Sequence, residues 1–292
     1  MQSTKKELTL SSKTKFFESM KHTIALTILF LSIQTLSAQS SKNKLHDIAF
    51  DYFKSYCSHT NQTGTVYNQK PHPGDSTAIW QAWKDFLSQD AHNKLIVPTP
   101  LGDNARGNWS IPDSLEPNAK LNFYYGTKGN VDNSGKFPLF IYLHGSGPRD
   151  AEWATGLKIC KNFDDAPSIY FIPQIPNEGE WYRWYQRSKQ WFLERLIKQA
   201  LASGNVDPYR LYLFGISEGG YGSQRLSAFY ADYLAAAGPM AGGEPLKNAP
   251  AENCSNIGFS LLTGEQDYGF YRNTLTTYTK QAFDSLQVKY PN

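Results

Sequence analysis

The sequence predicts an α/β fold with a mostly parallel sheet, helices on both of its faces, and an irregular N-terminal extension. From residue 120 onward, short apolar runs alternate with segments of helical apolar spacing. One run, residues 137–143 (FPLFIYL), is apolar throughout, which is typical of a strand covered on both faces. Residues 187–203 carry apolar side chains on one helical face and are followed by Gly204, a frequent helix stop.

The predicted elements follow one another in order. Residues 121–125 alternate like a half-buried strand, and Pro173 ends another apolar run. The predicted strands are residues 121–125, 137–143, 168–172, 210–214, 233–237 and 257–262, and the predicted helices are residues 187–203, 217–230 and 271–290. Such alternation is what parallel strands need, because each one requires a long crossover before the next.

The first 38 residues have the pattern of a secretory signal peptide. Lys21 and His22 precede a mostly apolar run, residues 24–33, and small residues permit cleavage after Ala38. This run is too short to span a bilayer, and no cysteine directly follows it to carry a lipid. We therefore expect a secreted or periplasmic protein without a stable membrane anchor.

The rest of the chain is electrically balanced. Residues 1–38 hold five of the 29 Lys and Arg residues and two of the 26 Asp and Glu residues, so equal numbers of each sign remain. No basic stripe is left, and we expect no nucleic-acid partner.

Cysteine usage and metal-binding motifs carry little information. No CxxC or HExxH spacing occurs, so we expect neither a metal nor another cofactor. For Cys57, Cys160 and Cys254, one Cys160–Cys254 disulfide and three free buried thiols are the two alternatives.

Residues 39–119 differ from the alternating region that follows. Residues 45–53 and 78–87 have helical apolar spacing, whereas Gly, Pro, Asn and Asp are frequent between and after them. This composition predicts a partly helical extension, followed by a catalytic domain in residues 120–292.

The motif with the clearest chemistry is Gly215-Ile-Ser217-Glu-Gly219. It lies between an apolar strand and a predicted helix, which is the context of a nucleophile elbow. The serine sits at a tight turn there, so the residues two before and two after it must be small. The motif predicts Ser217 as the nucleophile of an acyl transfer, with a structural Gly-Ser turn as the alternative.

A second motif, His144-Gly-Ser-Gly, closes an earlier strand. Acyl transfer creates an oxyanion that two backbone N–H groups can stabilise. We expect one from Glu218 and the other from Gly145 or Ser146. His144 is a rival candidate for the general base, although a histidine at a strand end usually bonds locally.

A third motif places a carboxylate after a late apolar strand. Asp267 follows the run ending at Leu262 and could orient a histidine and stabilise its imidazolium. Glu265 is the competing acid.

Aromatic residues follow the strand that ends at Pro173. Trp181 and Trp184 lie in loop sequence and could bind a sugar or aromatic ring, whereas Trp191 is expected to pack in the core. Core packing is also the alternative for the first two.

These motifs, in this order, resemble the α/β-hydrolase superfamily, above all secreted esterases of the feruloyl-esterase, acetyl-xylan-esterase and polyhydroxyalkanoate-depolymerase type. Residues 204–217, GNVDPYRLYLFGIS, are similar to the segment before the nucleophile in those enzymes. The resemblance covers residues 120–292. It implies an α/β-hydrolase fold and a carboxylic ester hydrolase that forms an acyl-enzyme on Ser217. The implied substrate is a small-molecule or polysaccharide-linked ester.

Two other functions are compatible with the same motifs. One is an oligopeptidase-like serine peptidase, because the same catalytic groups cleave amides. The other is a non-catalytic binding protein that keeps the fold.

The catalytic histidine is missing from its expected place. In the family that the chain resembles, this histidine follows the acid, yet no histidine follows Ser217 here. We expect a C-terminally shortened copy, because the elbow, the oxyanion loop and the acid are all present. A base from the extension, His72 or His92, is the alternative.

Overall fold

The computed structural model describes residues 44–55, 75–89, 97–130 and 135–291. These residues form two compact units that divide after Gln89.

The first unit contains two helices, α1 (residues 44–55) and α2 (Asp75–Ser88). Both overlap the helices predicted from apolar spacing. His46 on α1 bonds the carboxylate of Asp85 on α2 at 3.0 Å, and Phe50 meets Phe86 edge to face. The two carboxylates of Asp47 and Asp85 raise the pKa of His46.

The second unit is built on one sheet. Its strands are β1 (Thr99–Pro100), β2 (Arg106–Ser110), β3 (Lys120–Lys128), β4 (Phe137–Leu143), β5 (Ser168–Pro173), β6 (Val206–Ile216), β7 (Ala236–Met240) and β8 (Gly258–Phe259). The order across the described sheet is β1-β3-β5-β4-β6-β7-β8, and β2 pairs with β3. Strands β4 to β8 run parallel, whereas β3 is antiparallel to β5 and to β2. The predicted mostly parallel sheet is confirmed.

Helices cover both faces of this sheet. They are α3 (Arg149–Asn162), α4 (Arg187–Ser203), α5 (Glu218–Tyr230) and α6 (Arg272–Lys289). Side chains of a strand alternate between its two faces. Helix α3 packs Trp153 and Leu157 against the face of Tyr170, whereas Phe192 of α4 meets Phe171 on the opposite face.

Two parts of this architecture differ from the sequence prediction. Helix α3 lies where no helix is predicted, because its apolar side is narrow and half of its residues are polar. Strands β1 and β2 also lie within residues 39–119, the predicted extension, where no strand is predicted. Residue pairs from Arg106↔Tyr124 to Ser110↔Lys120 join β2 to β3, so this segment belongs to the sheet.

Two cysteines lie apart in the second unit. Cys160 packs with the aromatic cluster under α3, and Cys254 packs with Ala228 and Ala249. Both thiols are free and buried, and burial raises the pKa of each. The disulfide alternative is therefore wrong for this pair, and Cys57 lies outside the described residues.

Among the described residues, none of the helices combines the length and the apolar composition that a membrane span requires. Residues 1–38, which carry the predicted signal peptide, lie outside them.

A buried ion pair ties the segment before β3 to helix α4. Lys189 and Glu116 are both fully buried and in contact, and Ser188 donates to the same carboxylate at 2.6 Å. The Lys189 ammonium also donates to the carbonyl of Trp181 at 2.7 Å. Desolvation lowers the pKa of Lys189, and the charge of Glu116 opposes that effect.

We expect Glu116→Gln to lower the free energy of unfolding by about 3–5 kcal/mol, because it leaves the Lys189 charge buried without its counterion. Denaturant unfolding followed by circular dichroism measures the change. Glu194→Gln is the matched control on the same helix, since it breaks the exposed Glu194–Lys198 pair. That pair is worth about 0.5 kcal/mol or less. Equal losses in both variants would contradict a structural role for the buried pair.

Candidate active site

Ser217 occupies a strained turn between β6 and α5. Its backbone has φ 55° and ψ −115°, a conformation that a residue with a side chain rarely adopts. The turn is held by its N–H, which donates to the carbonyl of Met240 at 2.9 Å. A Cβ added to Gly219 would lie 1.9 Å from the carbonyl oxygen of Leu143, so only glycine lets α5 approach β4 this closely.

The loop after β4 lies directly beside this turn. A Cβ built on Gly145 would lie 3.5 Å from the Cβ of Ser217. The two backbone segments that were predicted to form the oxyanion hole, residues 144–147 and the start of α5, therefore meet at Ser217. The structure brings together Ser217, Gly145 and Glu218.

The N–H of Gly145 has a partner that the sequence did not reveal. It donates to Oε2 of Glu152 on α3 at 3.2 Å. This donor is therefore engaged in the free protein. Ser146, the other predicted donor residue, is exposed.

His144 is buried and fully occupied by local hydrogen bonds. Its Nε2 accepts the N–H of Ile175 at 3.1 Å, so Nδ1 carries the proton and donates to the carbonyl of Gly145 at 2.7 Å. Burial lowers the pKa of His144 to about 4, because the charged ring would lose its hydration. His144 shapes the loop, and it has no lone pair free to accept a serine proton.

Glu218 contributes a carboxyl group as well as a backbone N–H. Its side chain is buried, with the guanidinium of Arg183 at 3.5 Å from Oε2. Burial raises the pKa of this carboxyl to about 7, although Arg183 opposes the shift. The protonation of Glu218 therefore changes near neutral pH.

Arg272, the first residue of α6, joins the predicted acid to the predicted nucleophile. Its Nη2 donates to Oγ of Ser217 at 3.3 Å, and its Nη1 lies 3.4 Å from Oδ1 of Asp267. The rival acid, Glu265, is exposed, and its backbone carbonyl accepts a bond from Asn273. No motif in the sequence selects Arg272, although it lies five residues after Asp267 at a helix start.

The predicted aromatic platform is only partly at the surface. Trp184 is fully buried, and its indole N–H donates to the carbonyl of His144 at 2.9 Å. Its ring therefore packs in the core and cannot line a substrate site, which corrects that prediction. Trp181 is half-buried, with the Lys189 ammonium 5.8 Å from its ring centre.

Within the described residues, no cluster of three or more His, Cys, Asp and Glu residues could hold a metal ion. His72 and His92, the alternative bases, fall outside those residues.

Comparison with known proteins gives one similar sequence and many similar structures. No protein-family profile matches the chain. A poly(3-hydroxyalkanoate) depolymerase C from Paucimonas lemoignei is 26% identical over 115 residues, which are 36% of this chain and 28% of that protein. The match thus spans less than a third of the length of this relative.

Two solved structures illustrate the similar folds. A thermostable esterase is similar with TM-score 0.42 and 16% identity, over 63% of this chain and 61% of that one. A ferulic acid esterase is similar with TM-score 0.47 and 14% identity, over 61% of this chain and 85% of that one.

The burial of His144 leads to a pH-dependent prediction. Its folded pKa lies below the ordinary value, so its stabilising contribution is present above about pH 6.5 and is lost as the pH falls towards 4. We expect His144→Gln to destabilise the protein at pH 7, because the amide replaces only part of the hydrogen bonding. The cost should be about 2 kcal/mol smaller at pH 5 than at pH 7. At pH 5 the unfolded wild type binds a proton at His144 and the folded wild type does not, so the wild type loses stability and the variant does not.

Urea unfolding of both proteins at each pH measures this difference. The comparison cancels the opposite contribution of Glu218, whose raised pKa makes the folded state gain stability as the pH falls. A cost that stays constant with pH would show that His144 is not buried in its neutral form.

Proposed function

We propose that this protein is a serine hydrolase of carboxylic esters in which Ser217 forms an acyl-enzyme. The observation that carries the proposal is the strained backbone of Ser217 at the end of a central parallel strand. Strain of this kind costs about 1–3 kcal/mol and is concentrated at functional sites. A structural Gly-Ser turn has no need of it.

The proposed reaction has two steps. Oγ of Ser217 bonds to the acyl carbon while its proton passes to a base, and the alcohol then leaves with a proton. Water attacks the resulting acyl-enzyme, releasing the acid and restoring the hydroxyl.

The N–H of Glu218 is the proposed first donor to the oxyanion, because the start of α5 points its amides at Ser217. The second donor is proposed to come from the loop of residues 144–147. If Gly145 supplies it, the substrate must replace Glu152 as the acceptor of that N–H.

Asp267 is the proposed acid. A single side chain, Arg272, reaches both Asp267 and Ser217, so a base placed between them would contact both. His144 is excluded as that base by its two local hydrogen bonds. Among the described residues, no histidine bonds to Ser217, so the turnover of the chain should be low.

The proposed substrates are esters of small alcohols or of polysaccharides. Exposed aromatic rings near the site could receive a sugar or acyl group; they are Tyr268, Phe270 and Tyr271, with Trp181 half-buried. The similar proteins are named for polyhydroxyalkanoate and ferulic acid esters. The apolar run in residues 24–33 supports export of the protein to the periplasm or medium.

Incubation with p-nitrophenyl acetate tests the proposal. We expect an acetyl group on Ser217, found by mass spectrometry of peptides, and a slow release of nitrophenol. Ser217→Ala should remove the adduct and lower the release at least about 100-fold, because no other hydroxyl is at the elbow.

Ser223→Ala is the matched control. This serine lies in the same helix, and its hydroxyl donates to the carbonyl of Gly220. It should leave the acetylation of Ser217 unchanged. An adduct elsewhere would move the nucleophile, and no adduct at all would favour a non-catalytic binding protein.

A further inference from the structure

We propose that Arg272 is a catalytic residue of this site and that its guanidinium stabilises the ionised form of the Ser217 hydroxyl. The inference rests on the proposed function, because it concerns the activation of the same nucleophile. It adds a cationic group that no motif of the sequence indicated.

The hydrogen bonds of Arg272 orient its charge towards the nucleophile. Nε donates to the hydroxyl of Tyr221 at 3.0 Å, and Nη2 donates to Oγ of Ser217 at 3.3 Å. Nη1 lies 3.4 Å from the carboxylate of Asp267. Three of the five N–H groups of the guanidinium are thus engaged, two by residues at the start of α5 and one by Asp267 in the loop before α6.

The backbone before Arg272 is strained. Phe270 and Tyr271 both have left-handed conformations, with φ 56° and 59°. Two such residues in succession, neither of them glycine, cost free energy that the surrounding structure must supply. The turn places the start of α6, and with it Arg272, over the elbow.

A close contact with another loop supports this placement. A Cβ on Gly243 would lie 3.0 Å from both the Cα and the carbonyl oxygen of Arg272. Gly243 has φ 126°, which favours glycine. The loop after β7 therefore holds the backbone of Arg272 in position.

The electrostatic effect follows from distance and burial. The side chain of Arg272 is only 18% exposed, so water screens its charge less than at an open surface. A cation within about 4–6 Å shifts the pKa of an acid downward by about one to three units. The nearby carboxylate of Asp267 offsets part of this charge, so we expect the lower end of that range.

Besides Arg272, the described residues place the carboxyl groups of Asp267, Glu218 and Glu152 near the hydroxyl, and Oε2 of Glu152 accepts the N–H of Gly145 beside Ser217. Tyr221 on α5 and Asp267 in the loop after β8 face Arg272, and both raise its pKa although burial opposes them. On the other side, the Glu218 carboxyl is paired with Arg183. Above pH 7 this carboxylate is ionised and opposes the ionisation of Ser217. Labelling rates must therefore be compared at a pH where Glu218 has the same protonation state in all variants.

A fluorophosphonate reacts covalently with Ser217 and so measures the reactivity of its hydroxyl. Oγ attacks phosphorus, the P–F bond breaks, fluoride leaves, and the hydroxyl proton passes to solvent. The rate depends on the fraction of ionised hydroxyl, which Arg272 would increase. The ionised oxygen also becomes less reactive as its basicity decreases, with a Brønsted slope of about 0.5 in the analogous reactions of thiolates. This effect offsets part of the gain from ionisation.

The experiment compares Arg272→Gln with the wild-type chain between about pH 8 and 9, where Glu218, with its pKa of about 7, is ionised. We expect labelling of Ser217, followed by intact mass, to be about three- to tenfold slower in the variant. Arg210→Gln is the control, because it removes the same charge from β6, where Arg210 pairs with Asp207. Its labelling rate should match that of the wild type.

The opposite result has a clear meaning. A hydrogen bond donated to a neutral hydroxyl can also restrain it, and labelling of Arg272→Gln at an equal or higher rate would overturn the proposal. Failure of the proposed function differs from this, because it would leave the wild-type chain without an adduct on Ser217 and so overturn both.

A second variant distinguishes a loss of folding from a loss of Ser217 reactivity. If Arg272→Gln lowers the unfolding temperature, Arg272→Lys decides, since it keeps the cation but not the planar fork. Its labelling rate should lie closer to that of the wild type than to that of Arg272→Gln. A loss as large as that of Arg272→Gln would make the guanidinium a structural group and overturn the proposal.

Discussion

The structure depends above all on the close approach of helix α5 to the end of strand β4. Gly219 permits this approach, because its missing Cβ leaves room for the carbonyl of Leu143. The contact forces the chain to turn sharply after β6, and Ser217 takes up the strain. The bond from its N–H to Met240 on the neighbouring strand holds the turn. The position of the hydroxyl is thus set by backbone packing rather than by the serine side chain.

The two loops on either side of Ser217 are fixed by different means. The loop after β4 is built around the neutral ring of His144, which bonds to backbone groups on both sides. Tyr182 reinforces it, because its single hydroxyl proton is shared between the carbonyls of Gly145 and Gly147, whose oxygens lie 2.9 and 3.0 Å from the hydroxyl oxygen. The loop before α6 is held by the charged contacts of Arg272. The loop after β4 is therefore held mainly by hydrogen bonds between neutral groups, together with the Glu152 carboxylate, whereas the loop before α6 is held by an ion pair.

The sequence predicted the central sheet well because apolar runs such as residues 137–143 leave little choice of structure. Strand β2 was not predicted, since only Trp109 of its five residues is buried and edge strands carry a weak pattern. The nucleophile was predicted because its turn demands particular residue types. Arg272 was not, because its position depends on two left-handed residues that no periodicity indicates. Trp184 was predicted to bind substrate although its ring is buried in the core, because loop composition does not reveal burial.

The ion pair between Lys189 and Glu116 has a consequence for the evolution of the chain. Each partner is fully buried, so a change at either position leaves the other charge buried without a counterion. Replacing both residues by apolar ones removes both charges and gives a neutral core. Lys189 also donates to the backbone carbonyl of Trp181, which couples the ion pair to the loop that contains Trp181. Related chains should therefore exchange the two positions jointly, and the loop of Trp181 should diverge wherever they do.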